Sequence, residues 1–335
     1  MIIDQAFWNE QTSIHKEQLL HQLITRLPAG FTFLRMERFE RFGIQLETGV
    51  FSYKGCEFVY IPGNRVTLGW ESWAEGLDAA TQEDFENGLS ELDQNAENLE
   101  LLLRQQMSPV READIGPLLI ERRTHSVAWY EVRLADLDPE EDDDILEELE
   151  RFKTSSYRTY ELHHSFQIEK KDGRIRIWLF DNSADLQDWT KDALPKGFDL
   201  LTEDEWEYVY GGGCRTLFPW GDSFDYSMNV RHFGELDQDQ EEQIQSTADD
   251  RSFDLETSSG TGLHFLGDPY KSELTVSPEG LVRGKGGDGG SLICGGMGVV
   301  WGYLPVSTYY RDPYEEELDW EDRSEYLHYR RIVRL

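Results

Sequence analysis

Three cysteines are the residues of this chain that could do covalent or metal chemistry most directly: Cys56, Cys214 and Cys294. Cys294 ends the segment GGSLIC, in which Ser291 lies three residues before it. Thiolates are the ligands that copper(I) prefers, so Cys294 is a candidate reactive or metal-binding thiol, with Ser291 as its neighbour. The alternative is that Cys294 is a small, partly buried apolar residue, as free cysteines usually are.

Two adjacent histidines and a group of oxygen ligands are the other candidate metal sites. His163 and His164 lie in the stretch TYELHHSFQIEK, which is predicted to be a strand. Neighbouring side chains of a strand point to opposite faces, so this pair is predicted to be a poor chelator. Asp222, Asp225 and Asn229 provide, within one short loop, oxygen ligands of the kind that calcium takes. The alternative is a simple turn rich in aspartate.

The elements that must position these residues begin with a helix. Apolar residues recur at helical spacing over 11–27, and Pro28 then ends the pattern. Residues 31–69 read as strands, with turns predicted at Thr48-Gly49 and at Pro62-Gly63.

The acidic segments of the chain read differently from these strands. Residues 71–107 lack proline and are predicted to be helical, with Thr81 as a candidate N-cap. The run DPEEDDDILEELE at 138–150 predicts either a highly charged helix or a solvated loop. Two strands are predicted between 154 and 180, around the turn Lys171-Asp172-Gly173.

A capping box is the sharpest local signal. Thr202 and Glu205 have the spacing at which each side chain bonds the backbone amide of the other. The helix that starts there is predicted to end at the glycines 211–213, and an aromatic turn follows at 218–222. Antiparallel strands with long loops, and no βαβ repeat, indicate an α+β fold.

Composition limits the partners of such a fold. The chain has 335 residues, 66 acidic against 32 basic side chains, and a formal net charge of −34. The aromatic share of 13% is too high for a disordered chain. A strongly acidic surface repels nucleic acid and anionic lipid, so we predict neither as a partner. It suits a cation or a basic protein, unless the acidic residues only keep an aromatic-rich protein soluble.

Sequence features also bear on the compartment. No stretch approaches the roughly 18 apolar residues that cross a bilayer, and residues 1–20 do not resemble a signal peptide. An odd, sparse set of cysteines fits a reducing compartment better than a disulfide framework. We therefore predict a cytoplasmic protein without a membrane partner.

The capping-box helix also carries a resemblance to a known family. The segment LLTEDEWEY at 200–208, followed by glycines and then FPWGD at 218–222, resembles a signature of the formylglycine-generating (sulfatase-modifying) enzymes. Weaker matches agree in order, and they are FVYIPG at 58–63, LG at 68–69, GL at 262–263, LVRG at 281–284, GGS at 289–291 and YRRIVR at 329–334. The resemblance covers roughly 55–335, with acidic insertions near 70–110 and 138–150, and it leaves 1–54 as an N-terminal helix and strand extension packed on the main domain.

This resemblance implies a fold and a site. The family has a variant of the C-type lectin-like fold, and structural calcium is common in it. In its enzymes GGS is followed by two cysteines in a CxxxxC pair, which bind copper(I) and convert a substrate cysteine to formylglycine. The second cysteine position here is Val299, and one thiolate cannot form a two-thiolate site, so copper is not expected and no cofactor is certain. The segment 267–273 also replaces the GNVWEW motif of the family.

A binding or regulatory module is therefore the favoured prediction, with a protein or peptide as its partner. By resemblance, the peptide-binding surface would be lined by Trp301, Tyr303, Tyr309, Tyr310, Arg311 and Arg283. One alternative is a divergent metal-dependent oxidase that acts on a peptide cysteine or a small thiol through Cys294, with Ser291 as a further catalytic candidate. Another alternative is an acidic protein that binds a basic partner.

Overall fold

The computed structural model describes residues 4–91, 99–171, 173–233, 252–277, 280–315 and 318–335. The chain forms two compact units, of which the first combines Met1–His125, Leu194–Glu317 and His328–Leu335, and the second combines Ser126–Ala193 and Leu318–Leu327. Helices and antiparallel strands occur in both, which confirms the predicted α+β class. No helix in the described ranges is long and apolar enough to span a membrane.

The helices and strands are numbered in chain order. The helices are α1 (Gln5–Glu10), α2 (Ser13–Leu23), α3 (Ala79–Glu91), α4 (Leu99–Gln105), α5 (Asp143–Thr154), α6 (Leu186–Ala193), α7 (Glu203–Gly211), α8 (Ser291–Cys294), α9 (Val299–Gly302) and α10 (Trp320–Ser324). The strands are β1 (Thr32–Arg41), β2 (Ile44–Tyr53), β3 (Cys56–Ile61), β4 (Asn64–Leu68), β5 (Arg111–Ile115), β6 (Leu118–Glu121), β7 (His125–Ser126), β8 (Trp129–Val132), β9 (Thr159–Leu162), β10 (Phe166–Lys171), β11 (Arg174–Phe180), β12 (Ser272–Val276), β13 (Val282–Lys285), β14 (Leu327–Tyr329) and β15 (Ile332–Arg334).

A five-stranded antiparallel sheet, in the order β1-β2-β3-β6-β15, forms the centre of the first unit. Strand β6 is buried along its whole length because it lies between β3 and β15. In the register of the sheet, Phe58 of β3 pairs with Glu121, and Ile332 of β15 pairs with Ile120. The same edge of the sheet therefore holds the start of β3, the end of β6 and the start of β15.

The turns of this sheet differ in part from the prediction. The turn predicted at Thr48-Gly49 is wrong, because both residues lie inside β2. A Cβ on Gly49 would lie 2.3 Å from the Leu20 side chain, so this glycine serves close packing of α2 on the sheet and not a reversal. The chain reverses instead at Phe42-Gly43 and Lys54-Gly55, where all four residues have positive φ. At the turn predicted at Pro62-Gly63 the chain passes from β3 to β4, which belongs to a different sheet, and Gly63 forms an isolated bridge with Asp4.

The first acidic segment is helical over a shorter range than predicted. Helix α3 begins at Ala79, after Asp78 accepts a hydrogen bond from the Thr81 amide at 2.8 Å. Thr81 is thus not the N-cap. Its hydroxyl is buried and accepts a hydrogen bond from the Phe224 amide at 3.0 Å, because α3 packs its apolar side into the core. The predicted helical range also includes 92–98, which lie outside the described residues.

The second unit has its own antiparallel sheet, in the order β8-β11-β10-β9, and its own apolar core. The acidic run is helical from Asp143, where α5 begins and buries Ile145, Leu149 and Phe152 in that core, whereas 138–142 form a turn before it. Three strands, β9, β10 and β11, occupy the range predicted to hold two. The chain turns after Leu162, and His164 adopts a φ of 53°. The turn predicted at Lys171-Asp172-Gly173 fits the ends of β10 and β11, although Asp172 lies outside the described residues.

Helix α7 matches its prediction closely. The Thr202 hydroxyl accepts a hydrogen bond from the Glu205 amide at 3.2 Å, and the Glu205 carboxylate accepts one from the Thr202 amide at 2.7 Å. Gly212 ends the helix in the left-handed conformation at φ 63°. Both ends of the helix are therefore set by local sequence.

The division of the chain differs from the predicted one. The predicted boundary between 1–54 and 55–335 falls within the five-stranded sheet, because β2 pairs with β3 across it. The structure instead separates Ser126–Ala193, which includes the acidic insertion at 138–150. This segment closes its own core and therefore forms a unit, which the motif matches on either side of it did not reveal.

Candidate functional site

The predicted thiol Cys294 ends helix α8 in a glycine-rich loop. Asp288 orders this loop, because its carboxylate accepts hydrogen bonds from the amides of Gly290 and Leu292, each at 3.0 Å. Gly290 has a φ of 86°, and a Cβ there would lie 2.2 Å from the Tyr270 ring. The Cys294 thiol is exposed and lies 3.2 Å from the Tyr270 hydroxyl.

The rest of this loop provides no second thiolate. Val299 begins α9 and is buried, with 6% of its surface exposed. Ser291 is exposed at the start of α8, and its amide donates to the Asp288 carbonyl at 3.4 Å. In the part of the chain that the structure describes, no cluster of three histidine, cysteine, aspartate or glutamate ligands includes Cys294. The loop thus presents one thiol beside a tyrosine hydroxyl.

The four aromatic residues predicted to line a peptide-binding surface are buried, which corrects that prediction. Trp301 is 4% exposed, Tyr310 is 3% exposed, and Tyr303 and Tyr309 are fully buried. The Trp301 indole donates a hydrogen bond to the Phe85 carbonyl at 3.2 Å, so α9 packs against α3. The side chains of these four aromatic residues stabilise the interior and offer no surface to a partner.

The two predicted binding arginines lie in different environments. Arg311 donates to both oxygens of Glu203 at 2.7 and 2.6 Å. Burial opposes the charged form of Glu203, but Arg311 and Lys285 outweigh it and lower the pKa of Glu203 to about 2. Arg283 is half-buried in β13, where its carbonyl accepts a hydrogen bond from the Thr275 hydroxyl at 3.2 Å. Arg311 therefore binds the first residue of α7 through both oxygens of Glu203.

Hydrogen-bond donors surround the candidate calcium ligands. Asp222 is 1% exposed, and its carboxylate accepts three backbone N–H groups at 2.6, 3.1 and 2.9 Å. Asp225 accepts from the amide and the hydroxyl of Ser227 at 2.9 and 2.6 Å, and the backbone N–H of Asn229 donates to Asp254 at 2.6 Å. A cation bound by Asp222 and Asp225 would have to displace the donors on these two carboxylates. The geometry fits the alternative, an aspartate-rich turn.

A second thiol, Cys56, lies in a cluster that the sequence did not indicate. Cys56 begins β3 directly after the Lys54-Gly55 turn, Glu121 ends β6, His125 begins β7, and Arg331 immediately precedes β15. The sheet brings these residues together, because β3, β6 and β15 are neighbours. They are separated by up to 275 positions in the chain, so only the folded sheet reveals the cluster.

Short contacts join all four side chains. Arg331 donates to both oxygens of Glu121, at 2.8 Å from Nε and 2.6 Å from Nη2. The same Nη2 lies 3.4 Å from the Cys56 Sγ. His125 Nε2 lies 2.7 Å from Glu121 Oε1, and the ligand atoms of Cys56, Glu121 and His125 all lie within 4.8 Å of one another.

Two cations and one anion result from these contacts. Contact with Cys56, and to a smaller extent contact with Glu121, raises the pKa of His125 to about 9, although burial alone would lower it. Burial opposes the charge of Glu121, but Arg331 and His125 outweigh it and lower the pKa of Glu121 to about 2. At neutral pH the histidine is therefore protonated and the glutamate is ionised.

Cys, His and Glu are ligand types that zinc accepts, but the position of Arg331 argues against a metal ion in this cluster. Its guanidinium already bonds both oxygens of Glu121 and contacts the sulfur. A metal ion would have to displace a fixed positive charge from this position. The cluster therefore fits thiol chemistry better than metal binding.

The adjacent histidines of the second unit are placed differently from the prediction. They lie in the turn between β9 and β10 and not within a strand, so their rings stack with centroids 3.7 Å apart. His164 Nε2 lies 2.9 Å and His163 Nδ1 lies 3.6 Å from the two oxygens of Glu325. The pair thus shares one carboxylate at an exposed site, a donor set that a transition metal accepts.

Comparison of the chain with protein-family models and with curated proteins finds no match in either. The assignment of a function therefore depends on the geometry above and on the motif resemblance.

Proposed function

We propose that this protein is a divergent, non-catalytic relative of the formylglycine-generating enzymes that acts as a binding or regulatory module for a protein or peptide partner. The buried Val299 carries the proposal. Copper(I) prefers thiolates, and a valine offers no ligand atom at the position where the family has its second cysteine. Cys294 has a tyrosine hydroxyl, and not a second thiol, as its hydrogen-bond partner at 3.2 Å.

Two local features support the proposed variant of the C-type lectin-like fold. The capping box of α7 has both of its reciprocal hydrogen bonds. In the FPWGD turn, the rings of Phe218 and Trp220 stack with centroids 4.7 Å apart and an interplanar angle of 5°. The two segments that carry the most specific part of the resemblance are therefore well-formed elements of the core.

The proposed partner surface is the exposed loop between α8 and α9. Cys294, Gly295 and Gly296 are exposed and Met297 is half-buried, whereas the aromatic residues that follow face the interior. Methionine and tyrosine are common at interfaces, and Tyr270 adjoins Cys294 here. The partner is proposed to be basic, because the chain carries a formal charge of −34.

Copper reconstitution tests the non-catalytic half of the proposal. The full chain and a Cys294→Ser variant would be loaded with copper(I) without oxygen, desalted, and analysed for metal. We expect equal, background copper in both. One copper per chain that is lost in Cys294→Ser would overturn the proposal and favour the oxidase alternative.

Site-specific cross-linking tests the binding half. A photoreactive phenylalanine analogue would replace Met297 in one variant and Leu101, which is 53% exposed in α4, in a matched control. We expect a cross-linked partner from position 297 that is absent from position 101, and whose yield falls with added salt because exposed charge pairs are screened. Equal products from both positions would contradict the proposed surface.

A further inference from the structure

We propose that Cys56 is a peroxide-reactive thiol, with Arg331 holding its sulfur and His125 supplying the proton that the reaction requires. This inference is independent of the function proposed for the Cys294 loop. It depends on the cluster at the shared edge of β3, β6 and β15. The chemical class of the co-reactant is a hydroperoxide, of which hydrogen peroxide is the smallest member.

The contact with Arg331 fixes the role of the sulfur. A guanidinium can only donate hydrogen bonds, so the Cys56 sulfur, 3.4 Å from Nη2, is the acceptor. Glu121 cannot relax this geometry, because it is 2% exposed and bonds Arg331 through both oxygens. Rings of Tyr53, Phe58 and Phe198 also surround the guanidinium at about 6 Å. Arg331 is therefore fixed with its Nη2 directed at the Cys56 sulfur.

Charge balance points the same way. Arg331 and protonated His125 each contribute one positive charge, and Glu121 contributes one negative charge. These three side chains therefore have a net charge of +1. Two further titratable groups near it are uncharged at neutral pH, because burial raises the pKa of Tyr329 and lowers the pKa of His328 to about 3. The Cys56 sulfur therefore lies against a net positive charge, which is the kind of partly exposed, electropositive environment in which reactive cysteines are found.

The adjacent carboxylate does not compete for this role. Glu57 follows Cys56 in β3, and neighbouring side chains of a strand point to opposite faces. Glu57 bonds Arg35 at 2.7 Å and Arg122 at 2.6 Å. Its charge is therefore matched by arginines other than Arg331.

Access favours a small reactant. Cys56 is half-buried, and the side chain of His125 is 39% exposed. A hydroperoxide can reach such a sulfur without a deep binding pocket. The open side of the cluster is thus formed by the thiol and by the imidazolium that would assist it.

The reaction balances with these groups alone. The thiolate sulfur attacks one peroxide oxygen, a sulfur–oxygen bond forms, and the oxygen–oxygen bond breaks. The sulfur loses two electrons, and the peroxide is reduced to a hydroxide leaving group, which takes a proton from His125. The products are the sulfenic acid of Cys56, which is the first step of cysteine oxidation, one water, and neutral His125.

The first experiment compares two thiols within the unmodified full chain. The protein would be treated with hydrogen peroxide in the presence of dimedone, and the labelled peptides of Cys56 and Cys294 would be followed by mass spectrometry. Cys294 is the matched control, because it is more exposed and its hydrogen-bond partner among the described residues is a tyrosine hydroxyl, not a cation. A charged hydrogen bond has an effect on the order of tenfold, so we expect Cys56 to react at least about ten times faster. Equal rates, or a faster Cys294, would overturn the proposal.

The second experiment isolates the proton donor. Iodoacetamide releases iodide, which needs no proton, whereas peroxide releases hydroxide, which does. We expect His125→Gln to slow oxidation of Cys56 about tenfold more than it slows alkylation. Equal slowing of both reactions would exclude His125 as the acid. Circular dichroism would verify that the variant is folded, and the comparison of the two thiols in the unmodified chain needs no variant.

Discussion

Lys285 is the residue whose replacement tests the buried charge cluster beneath α7 most directly. Its side chain is 1% exposed, and Nζ donates to Glu207 at 2.9 Å and to the Tyr310 carbonyl at 2.7 Å. Glu203 lies 3.6 Å away. Lys285→Met retains most of the apolar volume, removes the positive charge, and leaves two carboxylates with one cation fewer.

The expected cost follows from what remains. Breaking a buried ion pair by removing one partner costs about 3–5 kcal/mol, because the other charge stays buried. Arg111 still bonds Glu207 at 3.0 Å, and Arg311 still bonds Glu203 at 2.6 Å. We therefore expect a loss at the lower end, about 3 kcal/mol in the free energy of unfolding. Adding Glu207→Gln to Lys285→Met restores the balance between carboxylates and cations in this cluster and should recover about 1–2 kcal/mol.

Urea unfolding, with hydrogen exchange of the α7 peptide as a local probe, would measure both variants. The local probe is needed because the chain has two compact units and its unfolding need not be a single transition. Lys191→Met is the control, since this lysine is 62% exposed and pairs with Asp188 at the surface, so a change below about 0.5 kcal/mol is expected. A loss of under about 1 kcal/mol for Lys285→Met, or no recovery in the double variant, would refute the reasoning.

Three further predictions concern local features. Thr202→Ala should lower the free energy of unfolding by about 1 kcal/mol, measured in urea, because it removes the cap of α7; an unchanged midpoint would contradict it. Gly290→Ala should lower the melting temperature and broaden the near-ultraviolet spectrum, because its Cβ would meet the Tyr270 ring at 2.2 Å. Burial raises the pKa of Asp288 to about 6, so its protonated form stabilises the fold below about pH 4, and this stability is lost as the pH rises through 6. Asp288→Asn should remove that part of the pH dependence of the melting temperature, and an unchanged profile would contradict this.

Local sequence was sufficient for α7 because both of its ends are determined by residues next to them. The capping box needs Thr202 and Glu205 only, and Gly212 supplies the left-handed end. Local sequence was not sufficient for α5, because its acidic run allowed either a charged helix or a solvated loop. The buried face of α5 decided between the two, and that face is defined only once its sheet exists.

The candidate sites depended on contacts that sequence spacing does not encode. The alternation that predicted one strand through His163 and His164 missed the turn there, so the two rings were expected on opposite faces and instead stack. Trp301 and Tyr310 were expected at a surface by resemblance, and packing against α3 made them part of the interior. The cluster at Cys56 needs a sheet order that joins distant strands. One cue was present, since a glutamate ends the apolar run LLIE and two arginines immediately precede the closing strand β15.

The distribution of basic residues connects the fold to the proposed partner. Several of them are used inside the first unit, where Arg330 pairs with Glu273, Arg331 with Glu121, and Lys285 with Glu207, each with both side chains at most 14% exposed. Each such pair removes one charge of each sign from the solvent-facing surface and leaves the surplus of 34 acidic residues unchanged. Because fewer cations remain at the surface, the excess of acidic residues forms a larger share of the charge that a partner meets. The attraction between this surface and a basic partner is therefore strong, and it decreases with added salt. The Cys56 sulfur differs from this acidic surface, because its neighbours include the cations Arg331 and His125.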